Sequence, residues 1–167
     1  MDGEYCIGAC FTGHREIPRA LCPEIGRRLA EAIGMLYGKG IRRFFAGGAL
    51  GFDMLAAKCV LDAKREKPDI ELILALPCPD YNAKWSDEDV AVMNAIAGKS
   101  DRVVYVSECY SKGCMQTRNR FMIGQSCVCV SYYNGSHGGT EYTLEYAQQC
   151  GLWILDLYDP RDGKSEE

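Results

Sequence analysis

Short apolar segments alternate with longer amphipathic segments along the chain, and this alternation constrains the fold more than any other feature. The apolar segments are predicted strands at 5–11, 42–46, 70–76, 102–106, 127–132 and 152–157. Predicted helices lie between them at 22–37, 51–65, 87–97, 114–125 and 140–149. Strands that alternate with helices of this length favour right-handed crossovers and a parallel sheet covered on both sides. The sequence therefore predicts an α/β fold, a three-layer sandwich around a mostly parallel central sheet.

The third predicted strand supports this assignment. Residues 70–76 are almost wholly apolar and stand between Pro68 and Pro77. A strand of this composition is typical of a parallel sheet, in which helices bury both faces. Ligands of such sheets bind at the carboxyl ends of the strands, so the residues that follow each strand form the candidate site.

Three predicted strands end in glycine-rich turns that open a helix or lead to one. The turns are Thr-Gly-His-Arg at 12–15, Gly-Gly-Ala-Leu-Gly-Phe-Asp at 47–53 and His-Gly-Gly-Thr at 137–140. Glycine lets the backbone approach a phosphate closely, and a helix N-terminus offers unpaired N–H groups to an anion. One such turn is equally typical of a tight connection, but three at the same sheet edge predict a single binding face.

Three arginines adjoin these predicted turns and helix starts. Arg15 follows the first turn, whereas Arg118 and Arg120 flank Asn119 near the start of a predicted helix. Arginine makes bidentate contacts with phosphates, so the three could neutralise a phosphorylated ligand. Residues i and i+2 do not share a helix face, so we expect at most one of the last two to contact it. The alternative for that pair is an exposed, solvated position.

Asp53 and two histidines also adjoin the glycine turns. We expect Asp53 to cap its helix or to hold the loop, and the alternative is a hydrogen bond to a ribose hydroxyl. His14 and His137 are the only histidines in the sequence, and either could act as a general acid or base or donate to a phosphate. The candidate ligand contacts are Thr12, Gly13, His14, Arg15, Gly47, Gly48, Gly51, Asp53, Arg118, Arg120, Gly138, Gly139 and Thr140.

Aromatic side chains are also frequent in or beside the loops that follow strands. They are Tyr81, Trp85, Tyr110, Tyr132 and Tyr133. One of them could stack on a base, although packing at the rim of a site is the more common role for such residues.

The charge and hydropathy patterns exclude several classes of protein. The net charge is −4, which argues against a nucleic-acid partner but leaves room for a local basic cluster around a phosphorylated small molecule. No apolar run approaches the roughly 18 residues of a membrane helix. The first residues, Met-Asp-Gly-Glu-Tyr, do not resemble a secretory signal. We therefore expect a cytoplasmic protein with no membrane association, and homo-oligomerisation stays open.

Ten cysteines are a large number for 167 residues. None of them forms a Cys-x-x-Cys pair, so the ligand spacing of a typical zinc site is absent, and the sequence has only two histidines. We expect the cysteines to be reduced, mostly buried apolar side chains, with neither a disulfide nor a bound metal.

Four motifs, taken in order, resemble the YpsA-like family of the SLOG superfamily. They are Cys-Phe-Thr-Gly-His-Arg at 10–15, Gly-Gly-Ala-Leu-Gly-Phe-Asp at 47–53, Gln-Thr-Arg-Asn-Arg-Phe-Met at 116–122 and Gly-Gly-Thr-x-x-Thr-x-x-x-Ala at 138–147. The resemblance implies a Rossmann-like fold that binds a nucleotide-derived ligand, such as NAD or ADP-ribose. It also relates the chain to LOG phosphoribohydrolases and to the Rossmann-like domains of DNA-processing proteins.

The last motif departs from the one that LOG phosphoribohydrolases carry, Pro-Gly-Gly-x-Gly-Thr-x-x-Glu. Alignment of Gly139 and Thr140 with its Gly-Thr pair places Thr143 where those enzymes have a catalytic glutamate. Glu141 and Glu145 are near but out of register, and together with His14 they are weak catalytic candidates. This departure argues against hydrolysis of the LOG type.

Three functional hypotheses follow for a single domain over residues 1–160, with a flexible tail at 161–167. The first is binding or sensing of a nucleotide-derived small molecule through the glycine turns. The second is an enzyme that hydrolyses or transfers the N-glycosidic bond of a nucleotide, as LOG enzymes and deoxyribosyltransferases do, which would need a suitably placed carboxylate. The third is binding of single-stranded nucleic acid, which would need a basic groove with aromatic platforms.

Overall fold

A computed structural model describes residues 5–164 of the chain. Six strands alternate with five helices, which confirms the predicted order. The strands are β1 (Gly8–Gly13), β2 (Arg43–Ala46), β3 (Glu71–Leu76), β4 (Arg102–Tyr105), β5 (Val128–Tyr132) and β6 (Trp153–Asp156). The helices are α1 (Cys22–Gly38), α2 (Phe52–Glu66), α3 (Asp87–Lys99), α4 (Cys114–Gly124) and α5 (Gly139–Gln149).

The strands form one sheet in the order β4-β3-β2-β1-β5-β6, and every neighbouring pair is parallel. The fold is therefore the Rossmann-like α/β sandwich that the sequence predicted. The strand order runs outward in opposite directions from β1 and β5, which are paired from Ala9–Val128 to Gly13–Tyr132. Such a reversal opens a crevice beyond the carboxyl ends of the two strands, and it is where ligands of this architecture bind.

Alternating strand residues supply two hydrophobic layers. On one face, Phe11, Phe44 and Leu74 pack with buried residues of α1, α2 and α3. On the other face, residues such as Phe45 and Ile73 pack with buried residues of α4 and α5. The helices α2, α4 and α5 each follow a strand in a parallel crossover. Their first turns therefore lie at the carboxyl edge of the sheet.

The predicted first strand began and ended too early. It was placed at 5–11, but Gly8 is the first residue of β1 to pair with β2, and Tyr5 is 94% exposed. At the other end, Gly13 still pairs with Tyr132. A Cβ at Gly13 would lie 2.6 Å from the Phe52 ring, so the absence of a side chain lets α2 pack over the end of the strand.

The structure describes the first four residues of the predicted tail at 161–167. Residues Pro160–Lys164 form a 3-10 helix, and Asp162 within it is buried. Its carboxylate accepts hydrogen bonds from Arg28 at 2.7 and 3.0 Å and from the Tyr132 hydroxyl at 2.8 Å. These contacts join α1, the end of β5 and the last helix. Residues 165–167 of the predicted tail lie outside the described residues.

No helix within residues 5–164 combines the length and the apolar character that crossing a membrane would require.

We expect Asp162→Ala to lower the free energy of unfolding by about 3 kcal/mol, because it removes the two-pronged carboxylate partner of the largely buried Arg28 and leaves, among the described residues, only the Glu24 carboxylate at 3.4 Å. Arg28 holds the pKa of Asp162 below its ordinary value of 3.8. The stabilisation is therefore complete above that pH and is lost as the pH falls through the lower value of the folded state. Urea denaturation at pH 7 measures the change.

Glu31→Ala is the matched control, because Glu31 forms an exposed ion pair with Arg27 on the same helix. It should change stability by no more than about 0.5 kcal/mol. Equal effects of the two substitutions would contradict a structural role for the Asp162 contact.

Candidate functional site

A cleft of about 430 Å³ lies at the carboxyl ends of β1 and β5, where the strand order reverses. Its volume falls in the range of roughly 300–1,000 Å³ that is usual for ligand pockets. The residues that line it are Thr12, Gly13, His14, Arg15, Ala49, Asp53, Tyr110, Ser111, Gly113, Cys114, Met115, Gln116, Arg118, Asn119, Ser136, His137, Gly138, Gly139 and Thr140.

The structure brings the first and third glycine turns together at this cleft. All four residues of 12–15 and all four of 137–140 line it. The second turn contributes Ala49 and Asp53, but none of its glycines. Nine of the thirteen predicted ligand contacts therefore lie on the cleft, and Gly47, Gly48, Gly51 and Arg120 do not.

The glycines of the second turn make room for the chain itself. A Cβ at Gly47 would meet the Arg118 guanidinium at 2.7 Å and the Asp53 carboxylate at 2.8 Å. Gly48 has a φ of +72°, and a Cβ there would overlap the Leu76 side chain. Gly51 has a φ of +76°, and a Cβ there would overlap the carbonyl of Arg15. The lack of a side chain at these three positions thus lets the turn fold tightly against its neighbours, and their role as direct phosphate contacts stays a prediction.

Arg118 reaches the cleft from α4 and is 4% exposed. Its guanidinium donates to the carbonyl of Gly47 and, at 2.7 Å, to the side-chain oxygen of Asn119. Its remaining partner is the sulfur of Met115 at 4.0 Å. All three partners are neutral, and Arg118 forms no ion pair within residues 5–164. Burial lowers the pKa of Arg118, while the nearby negative charge of Asp53 raises it.

Asp53 is buried in the first turn of α2, beside Gly47. Burial raises the pKa of Asp53 to about 6, although Arg118, the backbone N–H groups of Ala49 and Gly47, and Arg15 act in the opposite direction. The N–H contacts support the role of holding the loop, one of the two alternatives that the sequence left open. The same carboxyl also sets the charge of the cleft wall, because it can be neutral or ionised near pH 6.

Arg118 and Arg120 point in different directions, as their i, i+2 spacing predicts. Arg120 is exposed, donates to the Tyr142 hydroxyl, and lies over the ring of Tyr146 at 5.2 Å. It therefore packs against α5 away from the cleft. Arg15 is exposed at the rim of the cleft, where no hydrogen bond fixes its side chain within the described residues.

The two histidines occupy different positions on the cleft. His14 accepts a hydrogen bond from the backbone N–H of Asn134 at 3.0 Å, which fixes its ring between the first and third turns. The side chain of His137 is 95% exposed, and its Nδ1 lies 2.9 Å from a carboxylate oxygen of Glu141. This hydrogen bond raises the pKa of His137.

Glu141 and Glu145, the two carboxylates among the weak catalytic candidates, do not line the cleft. Glu141 lies behind His137, and Glu145 is exposed one turn further along α5. The LOG-like position holds Thr143, which is buried, donates to the carbonyl of Gly139 at 2.9 Å, and accepts from Asn119 at 2.9 Å. A neutral hydrogen-bonded pair thus occupies the place of a catalytic acid.

From the loop before α4, sequence analysis named only Tyr110 and missed the other residues on the cleft. Tyr110, Ser111 and the residues from Gly113 to Gln116 line the cleft, and Gly113, with a φ of +88°, is the N-cap of α4. Neither α4 nor α5 has a side-chain cap, whereas α3, away from the cleft, is capped by Ser86. A glycine immediately before the predicted helix at 114–125 was the available signal.

The cysteines do not build a metal centre in this region. All ten are free thiols, and residues 5–164 contain no group of three or more histidine, cysteine or acidic side chains placed to hold a metal ion.

Comparison with known proteins gives a family match and a related bacterial protein. Residues 18–152 match the YpsA family, described as the YspA SLOG family. The SPbeta prophage-derived protein YoqJ of Bacillus subtilis is 33% identical over 122 residues, which cover 66% of this chain and 71% of YoqJ.

Two solved structures of DNA processing protein A share the fold. The protein from Streptococcus pneumoniae matches with a TM-score of 0.63 and 13% identity, over 89% of this chain and 49% of the other. The protein from Helicobacter pylori, whose structure describes a single-stranded DNA binding mode, matches with a TM-score of 0.63 and 19% identity, over 90% of this chain and 65% of the other. The chain thus spans about half to two thirds of these proteins.

Two glycine substitutions should separate folding from binding. Gly48→Ala should lower stability by about 2–4 kcal/mol, because it forces a side chain into a positive φ and against Leu76. Gly139→Ala should change stability by about 0.5 kcal/mol or less, because no atom lies within 4 Å of the added Cβ. It should weaken pyrophosphate binding, since an added methyl hinders close approach to the backbone.

Thermal unfolding and calorimetric titration with pyrophosphate measure the two effects. A Gly48→Ala protein as stable as the wild type would contradict the packing role of the second turn. A Gly139→Ala protein with unchanged affinity would contradict backbone contact at the third.

Proposed function

Because the chain belongs to the YpsA family of SLOG proteins, we propose that its cleft binds a phosphorylated, nucleotide-derived small molecule of the NAD or ADP-ribose kind. The observation that carries this proposal is Arg118, a buried cation on the cleft wall that is hydrogen-bonded only to neutral partners. A buried charge is costly unless it is compensated; Asp53 compensates Arg118 in part, and a phosphate group would supply a hydrogen-bonded negative charge as well.

The surroundings of Arg118 fit a phosphate. Arg15 adds a second positive charge at the rim, and the uncapped first turns of α4 and α5 present backbone N–H groups to the same cleft. A helix N-terminus carries partial positive charge and binds anions readily. Two guanidinium groups with two helix starts fit a ligand with two neighbouring phosphates, as in a dinucleotide or ADP-ribose.

An enzymatic function is less well supported. Cleavage of an N-glycosidic bond needs a carboxylate that can attack or stabilise the reacting sugar. Asp53 is the one carboxylate on the cleft among the described residues, and it is turned to the loop backbone and Arg118. Thr143 stands in the LOG-like position, so binding without cleavage is the function that this geometry favours.

Single-stranded DNA binding is the other alternative, since a structurally similar DNA processing protein binds it. The likeness to that protein lies in the fold, at 19% identity. Backbone binding of DNA uses several cations along an extended groove. The arginines on this cleft are Arg15 and Arg118, and no lysine of the described residues lines it, in a chain with a net charge of −4. A small ligand therefore fits the charge better.

Replacing the arginines tests the proposal directly. Arg118→Ala should weaken ADP-ribose binding by about ten- to a hundredfold, because it removes a charge-assisted contact. Arg15→Ala should weaken it by about tenfold and should fold normally, since Arg15 is exposed. Arg120→Ala is the matched control on the same helix and should bind like the wild type. Isothermal titration calorimetry measures all three.

Two outcomes would reject the phosphate-binding cleft. One is near-wild-type affinity in both Arg15→Ala and Arg118→Ala. The other is efficient displacement of ADP-ribose by an unlabelled oligothymidylate, which would favour the DNA-binding alternative. Release of free adenine or nicotinamide from ADP-ribose or NAD would instead support the enzymatic alternative.

The affinity for ADP-ribose should fall as the pH rises from 5 to 8. Asp53, with a pKa of about 6, is protonated and neutral at the lower pH, and ionised beside the ligand phosphates at the higher. The diphosphate of ADP-ribose has no monoester group, so it lacks the second phosphate ionisation near roughly pH 6. We expect a loss on the order of tenfold across this range.

Asp53→Asn should remove this pH dependence, because the amide stays neutral and can still accept a backbone N–H. His14→Gln and His137→Gln are controls, since both histidines line the cleft. A pH dependence that persists in Asp53→Asn and disappears in either histidine variant would contradict the role of Asp53.

A further inference from the structure

A small side pocket of about 90 Å³ adjoins the cleft. Four residues, Arg15, Ala49, Met115 and Arg118, line both spaces, so the two are separated by no more than these side chains. The residues that line the side pocket alone are Leu50, Tyr81 and Trp85. The wall shared by the two spaces is thus rich in positive charge, and the far wall is aromatic and apolar.

We propose that this side pocket receives one edge of the base of the nucleotide-derived ligand while its phosphates stay in the main cleft. The inference rests on the proposed function, and it adds the chemical class of the group beyond the phosphates, a planar, uncharged aromatic ring. A second phosphate would be disfavoured there by Tyr81, Trp85 and Leu50, because an anion gains little from aromatic faces or aliphatic carbon.

The aromatic wall is held in place before any ligand binds. The Tyr81 hydroxyl donates to the carbonyl of Gly48 at 2.9 Å. The rings of Tyr81 and Trp85 meet edge to face, with their centroids 5.4 Å apart. Burial raises the pKa of Tyr81 to about 12, so the phenol stays protonated and keeps this hydrogen bond at neutral pH. A preformed wall lowers the side-chain entropy that the protein must lose when a base binds.

The remaining groups suit a planar ring as well. Guanidinium groups stack on aromatic rings as well as pairing with phosphates, so Arg15 and Arg118 can contact both ends of one ligand. Met115 is a flexible thioether that adapts to ring edges. The side pocket, at about 90 Å³, is smaller than the roughly 150 Å³ of a cavity that binds benzene, so only one edge of a base enters it. The rest of the ring and the ribose stay in the main cleft, which has about 430 Å³.

Tryptophan fluorescence tests the proposal, because Trp85 is one of two tryptophans in the sequence. The other, Trp153, is 48% exposed on the edge strand β6. In a Trp153→Phe protein, Trp85 is therefore the only indole. We expect ADP-ribose to change its emission with the same midpoint that calorimetry gives, and inorganic pyrophosphate to bind without that change.

Substitution of Trp85 supplies the second measurement. Trp85→Ala should weaken ADP-ribose binding by roughly tenfold to a hundredfold, the range for loss of a base–aromatic stack, and should leave pyrophosphate affinity unchanged. Trp85→Phe keeps an aromatic ring in the wall and should lose less affinity than Trp85→Ala. The pyrophosphate measurement also reports whether the variant is folded.

The outcomes separate this inference from the function on which it rests. Unchanged ADP-ribose affinity in a Trp85→Ala protein that still binds pyrophosphate overturns the base pocket and leaves the phosphate site standing. Equal losses for both probes assign Trp85 a purely structural role and also overturn the base pocket. Absence of binding by both probes to the wild-type protein overturns the phosphate site and the base pocket together.

Discussion

The hydrogen bond between the Arg118 guanidinium and the carbonyl of Gly47 connects the two halves of the cleft. Gly47 follows β2, whereas Arg118 belongs to α4, which packs on the opposite face from α2. The bond requires a residue without a side chain at position 47, because a Cβ would meet both Arg118 and Asp53. One missing methyl group thus allows a cation to be buried at the edge of the sheet.

The electrostatics of the cleft follow from that burial. Asp53 also lies beside Gly47, where its charge favours the charged form of Arg118 and the arginine favours the ionised form of Asp53. Burial opposes both ionised forms, so neither group is fully compensated by the other. Arg15 also favours the ionised form of Asp53, because its positive charge lowers the pKa of that carboxyl. In a protein with a net charge of −4, the described lining of this cleft thus carries two arginines and one aspartate.

The parts of the structure that depend on local pattern could be predicted from sequence. Strand and helix order, the parallel sheet and the shared edge of the first and third turns all follow from periodicity and chain direction. The role of the second turn could not be predicted, because Gly48 and Gly51 differ from cleft-lining glycines only through distant neighbours, Leu76 and the Arg15 carbonyl. The contact of Asp162 with Arg28 is equally non-local, since 134 positions separate the two residues. The helix geometry of α4 did distinguish Arg118 from Arg120, because their spacing alone puts them on different faces.

Under the proposed function, the hydrogen-bonded pair of Asn119 and Thr143 suits a cleft that senses a nucleotide. A nucleotide bound beside this pair, which stands where LOG enzymes have an acid, would leave with all its bonds intact. Occupancy of such a cleft then follows the free concentration of the nucleotide and returns to its earlier value when that concentration falls. An enzyme would consume the nucleotide that it detects. Reversible binding would leave the nucleotide concentration unchanged, so the filled cleft would report that concentration.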